Sequence, residues 1–139
     1  MADRVLLDTS IIIPLLNEEQ FREPILDLNR KSRILISIVT ANELIRGAHD
    51  SNSRSILDRF FEILRGGFLV PTELQWLECA SIAEQILRNR KRSRQGVLLL
   101  QNDLLIGLGA RDANATLVTS DQKDFSLLQP YLKVPIEFW

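Results

Sequence analysis

The sequence predicts an α/β fold in which a mainly parallel sheet carries helices on both faces. Two observations predict it. Short apolar runs alternate with amphipathic segments along all 139 residues, and no repeat or linker interrupts them. The composition, 45% hydrophobic and 25% charged, is that of an ordinary globular chain, which at this length buries roughly two-thirds of its unfolded surface. The whole chain, 1–139, therefore reads as one domain.

The elements come in a regular order. Arg4-Val5-Leu6-Leu7 is a first strand that runs into Asp8-Thr9-Ser10 and a short helix through Ile11–Leu16, with Pro14 expected in its first turn. A second helix holds Ile25, Leu26 and Leu28 and ends at Asn29-Arg30-Lys31-Ser32. The second strand is Arg33 to Val39, after which Thr40-Ala41-Asn42-Glu43 has the form of a capping box opening a helix towards Gly47. Ile56, Phe60, Ile63 and Leu64 repeat at helical spacing up to Gly66-Gly67, and Phe68-Leu69-Val70 is a short strand. Leu77, Ala80, Ala83, Ile86 and Leu87 predict the buried face of a long helix from Glu73 to about Arg92, closed by a Gln95-Gly96 break. Asn102-Asp103 starts another helix that ends near Asn114. The strand Thr116–Thr119, a turn through Ser120–Asp124 into a short helix, and a last strand at Val134–Ile136 complete the chain.

Composition excludes several chemistries. The one histidine, His49, leaves no two-imidazole ribonuclease mechanism and no His-rich zinc site, and the one cysteine, Cys79, leaves no internal disulfide. His49 reads as a surface imidazole and Cys79 as a buried thiol. The N-terminal segment is too short in apolar residues for a signal core and no run reaches membrane-span length, so a cytoplasmic protein without membrane contact is expected. The charge is −1 at pH 7, against broad polyanion binding but compatible with a local basic patch. Catalysis, if present, rests on carboxylates.

Four acids occupy equivalent places: Asp8 after the first strand, Glu43 after the second, Asp103 opening a helix and Asp121 after the Thr116–Thr119 strand. Each alone has a local explanation as a helix cap or turn acid. Together they fall on the carboxyl edge of the predicted sheet, where ligands of open parallel sheets bind. Two carboxylates ~4 Å apart repel by roughly 4 kcal/mol at an effective dielectric near 20, so a convergent set needs cations. Oxygen donors without His or Cys select Mg²⁺ or Mn²⁺. Thr9, Thr119 and Ser120 lie beside the acids, positioned to orient water or to cap turns.

At these residues the chain resembles PIN-domain ribonucleases, and among them the VapC-type toxins of bacterial toxin–antitoxin pairs. The matching pieces are Val5-Leu6-Leu7-Asp8-Thr9-Ser10, Thr40-Ala41-Asn42-Glu43-Leu44, Asn102-Asp103-Leu104-Leu105-Ile106, and Leu117-Val118-Thr119-Ser120-Asp121 with Lys123-Asp124-Phe125. The resemblance implies a PIN-like three-layer α/β/α sandwich and Mg²⁺- or Mn²⁺-dependent hydrolysis of RNA. It makes Asp8, Glu43, Asp103 and Asp121 the catalytic acids, with Asp8, Asp103 and Asp121 on the metal and Asp124 a rival or auxiliary to Asp121. Thr9, Thr119 and Ser120 are auxiliaries. It further implies a homodimer and a VapB-like antitoxin partner, for which the apolar residues between Ile11 and Leu28 are candidate contacts beside their ordinary role as core.

Arg88, Arg90, Lys91, Arg92 and Arg94 concentrate positive charge and, with Arg46, are candidate RNA-backbone contacts; the alternative is a solvated helix end. Gly107, four residues after Asp103, reads as a packing position. Trp76, Trp139 and the phenylalanines read as core or interface, since none clusters beside the basic run. Competing readings are a catalytically silent RNA- or protein-binding module, and a DNA-directed or RNA-processing nuclease. A phosphoacceptor receiver domain fits less well, because Leu6-Leu7 precede Asp8 where a paired acid is needed.

Overall fold

The computed structural model describes residues 3–64, 67–89 and 91–139. Within them the chain runs β1 (Arg4–Leu7), α1 (Thr9–Glu18), α2 (Arg22–Lys31), β2 (Arg33–Ser37), α3 (Ile38–Gly47), α4 (Ser51–Ile63), β3 (Phe68–Leu69) and α5 (Glu73–Arg88). It continues through α6 (Arg94–Leu99), α7 (Gln101–Asp112), β4 (Thr116–Thr119), α8 (Gln122–Leu132) and β5 (Ile136–Phe138). The strands form one sheet in the order β3-β2-β1-β4-β5, and every neighbouring pair is parallel. The order reverses between β1 and β4, the point at which open parallel sheets splay their connections and leave a crevice at the carboxyl ends. Among the described residues no helix is long and apolar enough to cross a membrane.

Because side chains alternate along a strand, the sheet feeds two cores. Leu6, Leu35 and Leu117 share a register line and pack with Ile82 and Ile86 of α5, Leu104 and Leu108 of α7, and Phe125 and Leu128 of α8. Val5, Leu7, Ile34, Ile36 and Val118 point the other way, onto Ile11, Ile12, Ile25, Leu28, Leu44 and Leu57 of α1 to α4. Burial on both faces explains why the central strands read as nearly unbroken apolar runs. The α/β/α layering expected from the sequence is present.

Several boundaries differ from expectation, each for a local reason. β2 stops at Ser37, whose hydroxyl accepts from the Val39 N–H and caps α3. The helix thus starts before Thr40, and the expected Thr40–Glu43 capping box does not form. Pro14 lies in the second turn of α1, not the first. The long helix ends at Arg88 rather than Arg92, and Ser93 caps a separate α6 where a break was expected. The buried face of α5 is Gln75, Cys79, Ile82 and Ile86, while Leu77 is 64% exposed and Ala80 is also exposed. β5 starts at Ile136, two residues later than expected. The expected stop at Gly66 lies outside the described residues; α4 ends at Ile63, ahead of it.

Gly107 is a packing position, as expected. A Cβ there would lie 2.4 Å from Cδ1 of the fully buried Leu132, so its absence lets α7 press against α8. That contact holds the helix carrying Asp103 against the helix carrying Asp124.

Candidate active site

β1 delivers Asp8 to the carboxyl edge, where it is 4% exposed. Its N–H donates to the Val118 carbonyl at 3.0 Å, which continues the β1–β4 pairing to the last residue before α1. Its carboxylate caps α1. Oδ2 accepts from the Ser10 hydroxyl at 2.7 Å, the Thr119 hydroxyl at 2.9 Å and the Ser10 N–H at 3.4 Å. These donors all use Oδ2 and leave Oδ1 to other partners. The Ser10 hydroxyl also accepts from the Ser120 N–H at 3.0 Å, and the Thr119 hydroxyl from the Asp121 N–H at 3.0 Å. Pro14 contributes indirectly: it has no N–H for the Ser10 carbonyl one turn back, and the Ser120 hydroxyl donates to that oxygen at 3.3 Å. Two strand ends are thereby laced together around Asp8.

Glu43 lies in the second turn of α3, half-buried, and Oε1 accepts from the Thr9 hydroxyl at 2.9 Å. Burial raises its carboxyl above the ordinary range. The Thr9 hydrogen bond opposes that rise, the Asp8 charge adds to it, and the Asn102 hydrogen bond and Arg46 charge oppose it. Asp103 lies in the first turn of α7 but does not cap it; Leu100 occupies the N-cap with no side-chain bond. Its carboxyl is pushed up to about 8, first by burial and then by the charges of Asp8, Asp121, Asp124 and Glu43. The other three sequence-selected acids, and Asp124, all act on this one carboxyl group.

Asp121 caps α8 by accepting from the Asp124 N–H at 3.1 Å. One carboxylate oxygen from each of Asp103, Asp121 and Asp124 lies within 4.8 Å of the others. Asp124 therefore sits with Asp121 rather than in place of it. This all-oxygen set, with a half-buried carboxyl held far above its ordinary value by burial and like charges, fits a hard divalent cation.

The basic candidates separate. Arg88 is bidentate to Glu84 on its own helix, and Arg46 is exposed on α3. Lys91 and Arg94 are exposed, and Arg90 lies outside the described residues. Arg92 reaches the site: Nη2 donates to Oδ1 of Asp124 at 2.9 Å. Sequence reasoning missed Ser10 and Asn102. Ser10 carried a signal, since a hydroxyl two residues after an N-cap carboxylate can fold back onto it.

The sequence pattern of the PIN domain matches residues 5–128, which include every one of these acids. The chain belongs to the PIN-domain family. This PIN protein is 32% identical over 124 residues to Ribonuclease VapC1 of Haemophilus influenzae strain R2866, covering 86% of the chain and 88% of that relative. Among solved structures, VapBC-1 from nontypeable Haemophilus influenzae is similar with a TM-score of 0.73 and 27% identity, over 98% of both chains. VapBC2 from Rickettsia felis, bound to a DNA fragment from its promoter, is similar with a TM-score of 0.73 and 25% identity, again over 98% of both. The PIN fold is thus shared from end to end, and the acidic crevice lies at its carboxyl edge.

Proposed function

We propose that this PIN protein is a divalent-cation-dependent endoribonuclease and the toxin of a toxin–antitoxin pair. The observation that carries the reading is the convergence of carboxylates at the sheet edge: one oxygen from each of Asp103, Asp121 and Asp124 lies within 4.8 Å of the others, and the charges of Asp8 and Glu43 also act on Asp103. The likeness to a VapC ribonuclease and to VapBC complexes supports RNA as substrate and a VapB-like antitoxin as partner. Assembly as a homodimer in the cytoplasm belongs to the same proposal.

Asp8, Asp103 and Asp121 are the residues to hold Mg²⁺ or Mn²⁺, with Asp124 alongside. When bound, such an ion supplies charge neutralisation and Lewis-acid polarisation for hydrolysis of a phosphodiester. Ser10 and Thr119 fix Asp8 through hydrogen bonds to Oδ2, which leave Oδ1 as its ligand atom. Thr9 fixes Glu43, whose carboxyl is held above the ordinary range by burial, beside the crevice as the residue to accept or return a proton. In-line attack by water on phosphorus with departure of the 3′ oxygen leaves 5′-phosphate and 3′-hydroxyl ends. No imidazole is needed.

The test is cleavage of a panel of structured RNAs with Mg²⁺, Mn²⁺ or chelator, beside Asp8→Asn and Asp103→Asn. Cation-dependent cleavage that both substitutions abolish supports the reading. Cleavage that survives chelator, or folded protein with no cleavage under any cation, overturns it.

A further inference from the structure

Arg92 stands out among the described cations of the basic run. Its side chain is 28% exposed and its guanidinium lies against Asp124, one of the three carboxylates whose oxygens approach within 4.8 Å of each other. The pairing crosses 32 residues of chain, from the segment between α5 and α6 to the first turn of α8. The local chain is shaped for it. Ser93 caps α6, and a Cβ built on Gly96 would lie 3.4 Å from Cβ and 3.6 Å from Cδ of Arg92, so the arginine stem lies along the first turn of α6 over a glycine.

A guanidinium on Asp124 and a divalent cation among Asp103, Asp121 and Asp124 draw on the same negative charge. Resting on the cation-dependent reading above, we propose that Arg92 is an exchangeable counter-ion of the acidic crevice. Without a divalent cation it neutralises Asp124; once the cation is bound, its guanidinium turns to a phosphate of the RNA next to the crevice. Arginine suits both states, because its fork of donors matches carboxylate and phosphate oxygens alike. Arg92 is then a substrate-positioning residue whose contribution to RNA affinity depends on the cation, unlike that of an ordinary surface cation.

The experiment compares wild type, Arg92→Gln and Arg92→Lys, each first confirmed as folded by its melting temperature. Mn²⁺ affinity is measured by calorimetry. The affinity for a fluorescein-labelled single-stranded RNA oligonucleotide is measured by anisotropy in EDTA and in Ca²⁺, with gels confirming that the RNA stays intact. Arg92→Gln is expected to bind Mn²⁺ about five-fold more tightly, as removal of a competing unit charge predicts. It is expected to lose about five-fold in RNA affinity in Ca²⁺ and less than two-fold in EDTA. Arg92→Lys is expected to stay near wild type for Mn²⁺. Unchanged or weaker Mn²⁺ binding by Arg92→Gln overturns the inference, because the arginine would then be an anchor for Asp124. An equal loss of RNA affinity in EDTA and Ca²⁺ overturns it too, making Arg92 a plain phosphate contact. Wild type that binds no Mn²⁺ overturns the cation-dependent reading itself, whereas failure confined to Arg92→Gln leaves that reading standing.

Discussion

The hydroxyl of Thr119, at the end of β4, donates to Oδ2 of Asp8, at the end of β1, over 2.9 Å and 111 residues of chain. Both residues are buried, and the same hydroxyl accepts from the N–H of Asp121. Thr119→Val keeps the shape and removes these bonds. A hydrogen bond to a charged group is worth about 1.5–3 kcal/mol. The variant should therefore lose about 2 kcal/mol in urea unfolding, and its RNA cleavage should fall while Ser10 still holds the carboxylate. Unchanged stability and cleavage would mean that Ser10 alone fixes Asp8.

Asp103 gives a pH dependence whose sign can be worked out. Its carboxyl titrates at about 8 in the folded chain against an ordinary 3.8, so between those values the folded state holds a proton that the unfolded state has lost. The metal-free protein should accordingly lose stability as pH rises from about 4 to 8. Asp103→Asn removes this loss and should melt several degrees above wild type at pH 8 in chelator. Mg²⁺ should raise the melting temperature of wild type and have little effect on the variant, by linkage of binding to folding. Cleavage by the variant should drop by roughly 100-fold or more.

The opposite sign applies at the far end of α7. Arg111 is bidentate to Glu78 of α5 and also pairs with Asp112, whose Oδ2 accepts from the amide of the buried Gln75 at 2.9 Å. Hydrogen bonding to Arg111 holds both carboxyls below their ordinary values. The stability they contribute is present at neutral pH and is lost as pH falls below about 4.5. Glu78→Gln should flatten the acid limb of a melting-temperature profile, lying below wild type at neutral and alkaline pH and converging with it in acid.

Gly107→Ala sets a methyl group 2.4 Å from Cδ1 of Leu132, which is fully buried and must shift to admit it. Overpacking of this kind costs about 1–3 kcal/mol. Chemical denaturation should report that loss. Because α7 and α8 carry Asp103 and Asp124, Mn²⁺ affinity should weaken with it.

The sheet and the acids are legible in the sequence because both are local consequences of strand ends. An apolar run buried on both faces must stop where the chain turns, and Asp8 and Asp121 are the residues that cap the helices beyond β1 and β4. The start of α3 is not legible because two hydroxyls compete: Thr40 has the fuller capping pattern, but Ser37 turns the chain first, and Thr40 is left buried with an unpaired hydroxyl. The face of α5 is not legible because Leu74 and Leu77 lie outward, while Gln75 is buried through its bonds to Thr72 and Asp112. Such pairings are set by packing between distant segments. The same holds for Arg92 and Asp124, whose meeting has no trace in the spacing of either.

The placement of β4 beside β1 has a consequence for a chain still emerging from the ribosome. β1 and β2 can pair early, yet Asp8 lacks Thr119, and Asp103 lacks Asp121 and Asp124, until nearly all of the polypeptide has been synthesised. A product terminated before Asp121 carries only part of the acidic set, so the crevice gains its full complement of carboxylates only after β4 has been made.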